Sequence, residues 1–592
     1  MDVASLAPAV TTLAEQYQQV SAPVGDSLFL SSLFAMLPLL TLFVLLGALK
    51  MAAWKAALIS LTVTILLAVI VYSMPIDQAL NVSLLGAAFG LFPILWIVIN
   101  AIWIYNMTVE TGHFDVLRRS FAKVSDDQRI QAIIIAFCFG ALMEALAGFG
   151  TPVAISSVML IAVGLRPMKA AVVALVANTA PVAFGALAVP IITLGSPAVT
   201  GLPVDDLGSM VGRQTPILAV FVPLALVFIV DGMRGVRQTW PVAVVCGVAF
   251  AIAQFVCANF ISVELTDIIA SLVSAAAVVA FLQVWQPAEH FTADDSLDDD
   301  DAAVRSGRVR PVAGGASDKR DAGFDQRVRI GDDIVDSKAD VFKAYAPYLI
   351  IIAIFSICQL PFIKGTAPAA PGASGTGIES VTRIFKWPGL DLLNAAGKPQ
   401  TLMNFRLNWL SAGGTLLLIA GFVTMLVLKL SLGRAIKAYG ATLNQLKFAI
   451  VTVMAVLALA YVMNSSGMTR TLGLWMAGAG GAFALISPIL GWLGVAVTGS
   501  DTSSNSLFGA LQKTAAGDNV DLQILYAAAN TSGGVLGKMI SPQNLAIAAG
   551  AVGLAGREGD IFRKVLGWSL GFLFFMCILI YLQSTVLKWM IP

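Results

Sequence analysis

Long apolar stretches separated by short polar turns dominate the chain, near 29–49, 53–73, 82–105, 131–164, 170–195, 215–231, 239–262, 267–285, 345–361, 407–428, 446–467, 472–512, 521–556 and 566–587. Most reach the ~20 residues that a helix needs to cross the hydrocarbon of a bilayer. Lipid offers the backbone no hydrogen-bond partner, so such segments satisfy themselves as helices. The pattern predicts an all-α polytopic membrane protein. Two segments are too long for one crossing and carry a polar, glycine-rich centre: Gly148-Phe149-Gly150-Thr151-Pro152, and Gly499-Ser500-Asp501-Thr502-Ser503-Ser504-Asn505. Such sequence reverses a helix, and both segments read as re-entrant hairpins, 131–164 and 472–512. The stretch 472–486 is also open to reading as a full span, because only Arg470 and Lys513 supply charge evidence there.

The polar interruptions recur. In ANTAPVAFGALAVP, Asn178-Thr179 is followed by Gly185 and Pro190; in ANTSGGVLGKMISP, Asn530-Thr531 is followed by Gly537 and Pro542. Glycine stands seven and proline twelve residues after the asparagine in both. Upstream, AGFGTP (147–152) matches TGSDTS (498–503), pairing Gly148 with Gly499 and Thr151 with Thr502. Interrupted membrane segments at corresponding places in two halves point to the substrate site of a secondary transporter.

Lysine and arginine collect on the cytoplasmic side of membrane proteins. The 1–28 tail and 74–81 have none, whereas 50–55, 118–129, 166–169, 234–237, 429–437 and 557–564 are basic. This puts both termini outside and makes 131–164 enter and leave on the inner side, while 472–512 turns back from the outer side. The halves then have inverted topology, with about twelve spans, two hairpins and two broken helices, 170–195 and 521–556. The implied organisation is a tail and first helix (1–52), repeat 1 (53–231), connecting helices (232–285), a charged linker (286–343), a helix and external loop (344–406) and repeat 2 (407–592). The linker holds 23 of the 71 charged residues and reads as a solvated cytoplasmic segment.

Composition narrows the class further. The chain has 592 residues, of which 58% are hydrophobic and 12% charged, against roughly a quarter charged in soluble domains. A net charge of +1 gives no reason for a nucleic-acid partner. With no Lys or Arg before Lys50, the N-terminus does not read as a signal peptide. The five cysteines all lie in apolar stretches and read as small core residues rather than a metal or disulfide set. GGVLGKM lacks the spacing of a phosphate loop, and Met539 stands where Ser or Thr would hold Mg²⁺. No HExxH or nucleophile elbow occurs. The chain therefore reads as a non-enzyme without cofactor or metal, drawing on an ion gradient.

Unwound backbone at the two breaks aims helix N-terminal N–H groups into the membrane centre, which suits an anion. Thr151, Asn178, Thr179, Thr502, Ser503, Asn530, Thr531, Ser532 and Lys538 are the candidate substrate-binding residues, with Gly148, Phe149, Gly150, Pro152, Gly499 and Ser500 shaping the hairpin tips. Ser504 and Asn505 add hydrogen-bonding groups. The plainer reading is that these polar groups satisfy one another across packed helices. Lys538 has Ala186 as its counterpart in the first copy; it contacts substrate or a counter-ion, or else snorkels to an interface. Asp501 and Glu144 are the candidate proton carriers. The alternatives are a hairpin cap for Asp501 and a structural pair with Lys or Arg for Glu144. His113, in ETGHFDVLRR, reads as interfacial.

EALAGFGTPVAI, ANTAPVAFGALAVPI, LGWLGVAVTGSDTSSNSLFGALQ, ANTSGGVLGKMISPQNLAIA and the closing LKWMIP resemble the L-lactate permease family of bacteria, from about residue 25 onward. The resemblance implies a multi-pass plasma-membrane carrier that moves L-lactate, and often glycolate and D-lactate, with protons. It also implies kinship with ion transporters built from inverted repeats, whose hairpin-bearing domain moves as an elevator. Residues 291–340 look like a variable segment. The implied partners are a small monocarboxylate, protons and the bilayer, with a homodimer admissible. The rival readings are a sodium-coupled carrier of another carboxylate, a signalling protein with the linker as output, and a channel.

Overall fold

Apolar sequence without alternation can bury its backbone only by coiling, and the computed structural model is helical almost throughout. It describes residues 16–49, 51–122, 124–146, 148, 150–197, 199–289, 291, 336–368 and 371–592. Among these, nine helices are long and apolar enough to cross a membrane, or ten if the bent pair Pro167–Ala177 and Val182–Leu194 counts as one span. Thr266–Leu282 and Gly413–Val427, both expected to cross, are shorter apolar helices. The expected spans 215–231 and 239–262 merge into the helix Val222–Phe260, which bends at Asp231 and at Gly232 with φ +62°. Most of the charged linker (292–335) and the tip residue Phe149 lie outside the described residues. The helix Lys338–Gln359, capped by the Ser337 side chain, begins inside the stretch read as linker.

Both reversals are helix–turn–helix hairpins. In the first, Gln128–Leu146 turns at Gly148 and Gly150 (φ +47° and +83°) into Thr151–Ala162. Gln128 Nε2 donates to the Val163 carbonyl at 3.1 Å, closing the foot. In the second, Phe483–Thr498 turns at Gly499 (φ +76°) into Asp501–Ala515. Its legs are joined by Ser487 to Gln512 at 2.8 Å and by Ser504 to the Gly491 carbonyl at 3.1 Å. In each, the second leg packs back against the first. The positive φ values explain the glycines, which alone adopt that region without a Cβ penalty.

The second hairpin starts later than residue 472. Met468–Ala477 is a separate ten-residue helix set off by Gly467 (φ +101°), and residues 478–482 interrupt any continuous span over 472–486. Likewise Gly112 (φ +74°) precedes the ten-residue helix His113–Ala122 ahead of the first hairpin.

The two broken segments differ. Pro167–Ala177 ends at Asn178, and the chain bends by 63° before resuming. Pro181 cannot continue a helix bond there. The second copy departs from expectation: Val520–Gly537 runs unbroken through Asn530-Thr531-Ser532. Its break lies at 538–541, before the Ser541-capped helix Pro542–Ala551. Gly533 and Gly537 serve packing instead of unwinding. A Cβ at Gly533 would run into the Pro488 carbonyl, at Gly537 into that of Trp492, and at Gly491 into that of Asn530. Small residues let these backbones touch, as membrane helices require.

The loop 362–405 is not shapeless. Arg383–Lys386 pairs antiparallel with Asn404–Leu407, and Tyr17–Gln18 pairs parallel with Leu392–Leu393. Burial opposes charge on Glu379 in this loop. The Thr382 hydroxyl and the Arg406 guanidinium outweigh it and hold the carboxyl below its usual range.

At Gly491 the neighbour is backbone, which cannot rotate away, so Gly491→Val should separate the Phe483–Thr498 and Val520–Gly537 helices. The expected cost is at least about 1–3 kcal/mol. It should be read as a lower thermal midpoint of the purified protein, with Gly440→Val, which meets open space, as the tolerated control.

Candidate functional site

The hairpin tips and breaks meet around one cavity of about 770 Å³. Two helix starts line it, Ser500–Ser503 and Pro542–Gln543, with the Gly185–Ala186 backbone of the first break beside them. The first-turn N–H groups of a helix have no intrahelical acceptor; here Pro542 has none to offer, and the Ser503 amide is taken by Ser500 Oγ. Ala186, Leu187 and Ala188 form a left-handed turn there (φ +46°, +54°, +58°), a conformation that only tight surroundings sustain in L-residues. Trp54 and Phe448 also line the cavity, with ring centroids 5.6 Å apart and planes 20° from parallel.

Three ionisable side chains line the cavity among the described residues: Glu144, Asp501 and Lys538. Lys538 Nζ lies 2.5 Å from Glu144 Oε1, and both side chains are at most 9% exposed. Lys538 therefore does not snorkel. Its position is held from behind, since Ser541 Oγ and Asn544 Nδ2 both donate to its carbonyl. Glu144 packs so closely on Gly185 that a Cβ there would lie 2.8 Å from Oε1. Its Oε2 has no partner, nor has either oxygen of Asp501. The cap of the second hairpin is Ser500, whose hydroxyl accepts from the Ser503 amide, so Asp501 is not needed for that role. Asp501 stands within coulombic reach of Lys538.

Of the residues singled out from sequence, Gly148, Glu144, Gly499, Ser500, Asp501, Thr502, Ser503 and Lys538 line the cavity. Asn178, Thr179, Asn530, Thr531, Ser532, Thr151, Gly150 and Pro152 do not. Asn530 and Thr531 belong to a buried network centred on Asn505, which donates to Thr531 at 2.8 Å and accepts from Asn530 at 2.9 Å. Gln512 completes it by donating to Asn530 Oδ1 at 3.0 Å. Asn505 also donates to the Pro190 carbonyl at 3.0 Å, tying the second hairpin to the first broken segment. Ser532 bonds Gln214. Asn178 and Thr179 are buried, with side-chain polar atoms that have no partner. Gly150 packs on Asn544 and Ile547, and Gly499 on Gln543.

Sequence reading passed over Asp267, which is fully buried in the first turn of Thr266–Leu282. Gln254 donates to its Oδ1 at 2.9 Å and reaches the Ala180 carbonyl, in the first break, at 3.4 Å. Its Oδ2 has no partner, and it lies within electrostatic reach of Glu144. A carboxyl inside an apolar segment was the available signal.

Breaking a buried ion pair leaves the survivor uncompensated, at about 3–5 kcal/mol. Lys538→Met and Glu144→Gln should each lower the thermal midpoint, and Glu144→Gln/Lys538→Met should recover most of the loss. Additive losses in that double-mutant cycle would show that the pair does not hold the tips together.

Comparison with known proteins covers nearly the whole chain. Residues 31–587 match the L-lactate permease family. The chain is 40% identical to an L-lactate permease of Bacillus subtilis, across 98% of this chain and 100% of the relative. It is 41% identical to one of Escherichia coli K12, across 97% and 100%. It is also 41% identical to the glycolate permease GlcA of Escherichia coli K12, across 97% and 99%. The chain, a multi-pass membrane protein by its helices, belongs to the L-lactate permease family.

Proposed function

We propose that the protein is a secondary active transporter, not an enzyme, that takes up L-lactate in symport with protons across the bacterial plasma membrane. D-lactate and glycolate are the further substrates. The relatives named for lactate and for glycolate support a small 2-hydroxy monocarboxylate. The proton gradient drives the cycle without a cofactor, and both termini lie outside.

One observation carries the coupling: the Lys538–Glu144 pair on a cavity whose other carboxyl, Asp501, has no partner. The substrate carboxylate takes Lys538 from Glu144. That would strand Glu144 as a buried, unpaired anion, which is costly, unless a proton neutralises it. Substrate and proton then favour each other's binding, and by linkage the favour is reciprocal. Charge counting agrees. A monocarboxylate brings one negative charge and the proton one positive charge, whatever the protonation of Asp501. The loaded site thus crosses the membrane with the same charge as the empty one. Asp501 is the second proton candidate, and the Thr502 and Ser503 hydroxyls serve the substrate hydroxyl.

Purified protein in liposomes should accumulate radiolabelled L-lactate under an imposed pH gradient with Na⁺ absent. Accumulation only under a Na⁺ gradient would overturn proton coupling, and none under either would overturn the substrate. Glu144→Gln should lose pH-driven accumulation by at least roughly tenfold, within the usual range of coupling energies, while lactate exchange persists. If Asp501→Asn shows that split and Glu144→Gln does not, the proton belongs on Asp501.

A further inference from the structure

A second cavity, of about 350 Å³, lies at the other end of the same elements. The helix Asp501–Ala515 carries Asp501–Ser503 in the central cavity and Lys513–Thr514 in this one, ~18 Å apart at 1.5 Å per residue. The first broken segment repeats the arrangement, with Pro190 in the central cavity and Pro197 and Thr200 in the other. Trp54, at one end of the helix Ala53–Ile70, lines the central cavity. Beyond its other end Tyr72 bonds Tyr17 and Thr471, beside Gln19 and Arg470 of the second cavity. The two cavities therefore belong to opposite faces, and the lysine and arginine distribution puts the second outside.

Its lining carries two cations, Arg470 and Lys513, and no acidic side chain among the described residues. Arg470 Nε donates to Ser21 Oγ at 3.0 Å, which uses one of five guanidinium donors. Lys513 Nζ donates to the Thr200 carbonyl at 2.6 Å, one of three. Gln400 is 6% exposed, and its amide nitrogen donates to the carbonyls of Leu393 (2.9 Å) and Ser465 (3.2 Å). Those two carbonyls fix which end of the amide is oxygen. That oxygen, Oε1, is buried without a partner, so it lacks a donor. Two cations beside one orphaned acceptor match a molecule with a carboxylate and a neighbouring hydroxyl.

We propose that this outer cavity is a loading site for 2-hydroxy monocarboxylates, distinct from the central one. Arg470 and Lys513 take the carboxylate, and Gln400 Oε1 accepts from the hydroxyl. Charge placed at an entrance raises capture of an oppositely charged ligand more than it changes later steps. The hydroxyl contact makes the site prefer lactate and glycolate to propionate, whose carboxylate is the same. The proposal rests on the transport reading above for its substrate.

The test uses the full chain, purified and in liposomes. Titration calorimetry with L-lactate should find two bound per wild-type chain and one in Arg470→Gln/Lys513→Gln. That variant should raise the KM for uptake about 3–10-fold with the maximal rate kept within about twofold, as expected of lost capture. Its uptake should also lose the dependence on ionic strength that screening imposes on the wild type. Arg470→Lys/Lys513→Arg, which keeps both charges, should restore KM and salt dependence; this separates capture from misfolding. Propionate should compete at the outer site more weakly than glycolate. Unchanged stoichiometry, KM and salt dependence in Arg470→Gln/Lys513→Gln, beside a wild type that transports lactate, would overturn the loading site and leave the transport reading intact. A wild type that binds lactate at neither site would overturn both.

Discussion

A charge placed among apolar helices must find an opposite charge, and the contact between Lys538 and Glu144 satisfies that requirement across 394 residues of chain. The two belong to different halves, one at the start of the second break and the other just before the first hairpin tip. Removing water makes their attraction strong and the isolation of either costly. The close fit of Glu144 against Gly185 follows from the same constraint, because a larger residue would push the carboxylate away from its partner. Where this pair sits, the tips and breaks have to converge, and the cavity is what remains between them.

Around the pair, hairpins and broken segments interlock by small residues and by backbone. Gly150 of the first tip rests on Asn544 and Ile547, Gly499 of the second rests on Gln543, and Asn505 reaches the Pro190 carbonyl. Each contact joins a hairpin to a broken segment. The result is a polar layer with two helix starts and the first break, on a cavity also lined by Trp54 and Phe448. At the foot of the first hairpin, fully buried Arg129 is matched by Asp127, Asp231 and Gln238, and by the carbonyl of Glu289 where the linker begins. Here too the charge is tolerated because its donors are used.

Much of this arrangement was legible in the residues. Glycine and proline in the middle of apolar runs announce turns wherever they occur, so the tips at Gly148–Pro152 and Gly499–Ser500 and the break after Asn178 were readable. The second break was misplaced because Gly533 and Gly534 carry the same local signal whether they loosen a helix or let a neighbour approach. Asn530 and Thr531 look like ligand groups in isolation, yet Asn505 and Gln512 occupy them. Asp267 escaped notice at the start of its helix, and its partner Gln254 lies on another.

By itself the sequence determined the membrane class, the reversals, the recurrence of turn signals in two halves and the family, since hydropathy and turn chemistry are local properties. Only the tertiary structure decided which polar groups face the cavity and which face each other. It paired Glu144 with Lys538, left Asp501 and Gln400 Oε1 without partners, and gathered Arg470 and Lys513 in one second cavity. Pairing depends on what stands within about 3 Å, and for residues hundreds of positions apart that distance is set by the packing of every helix between them.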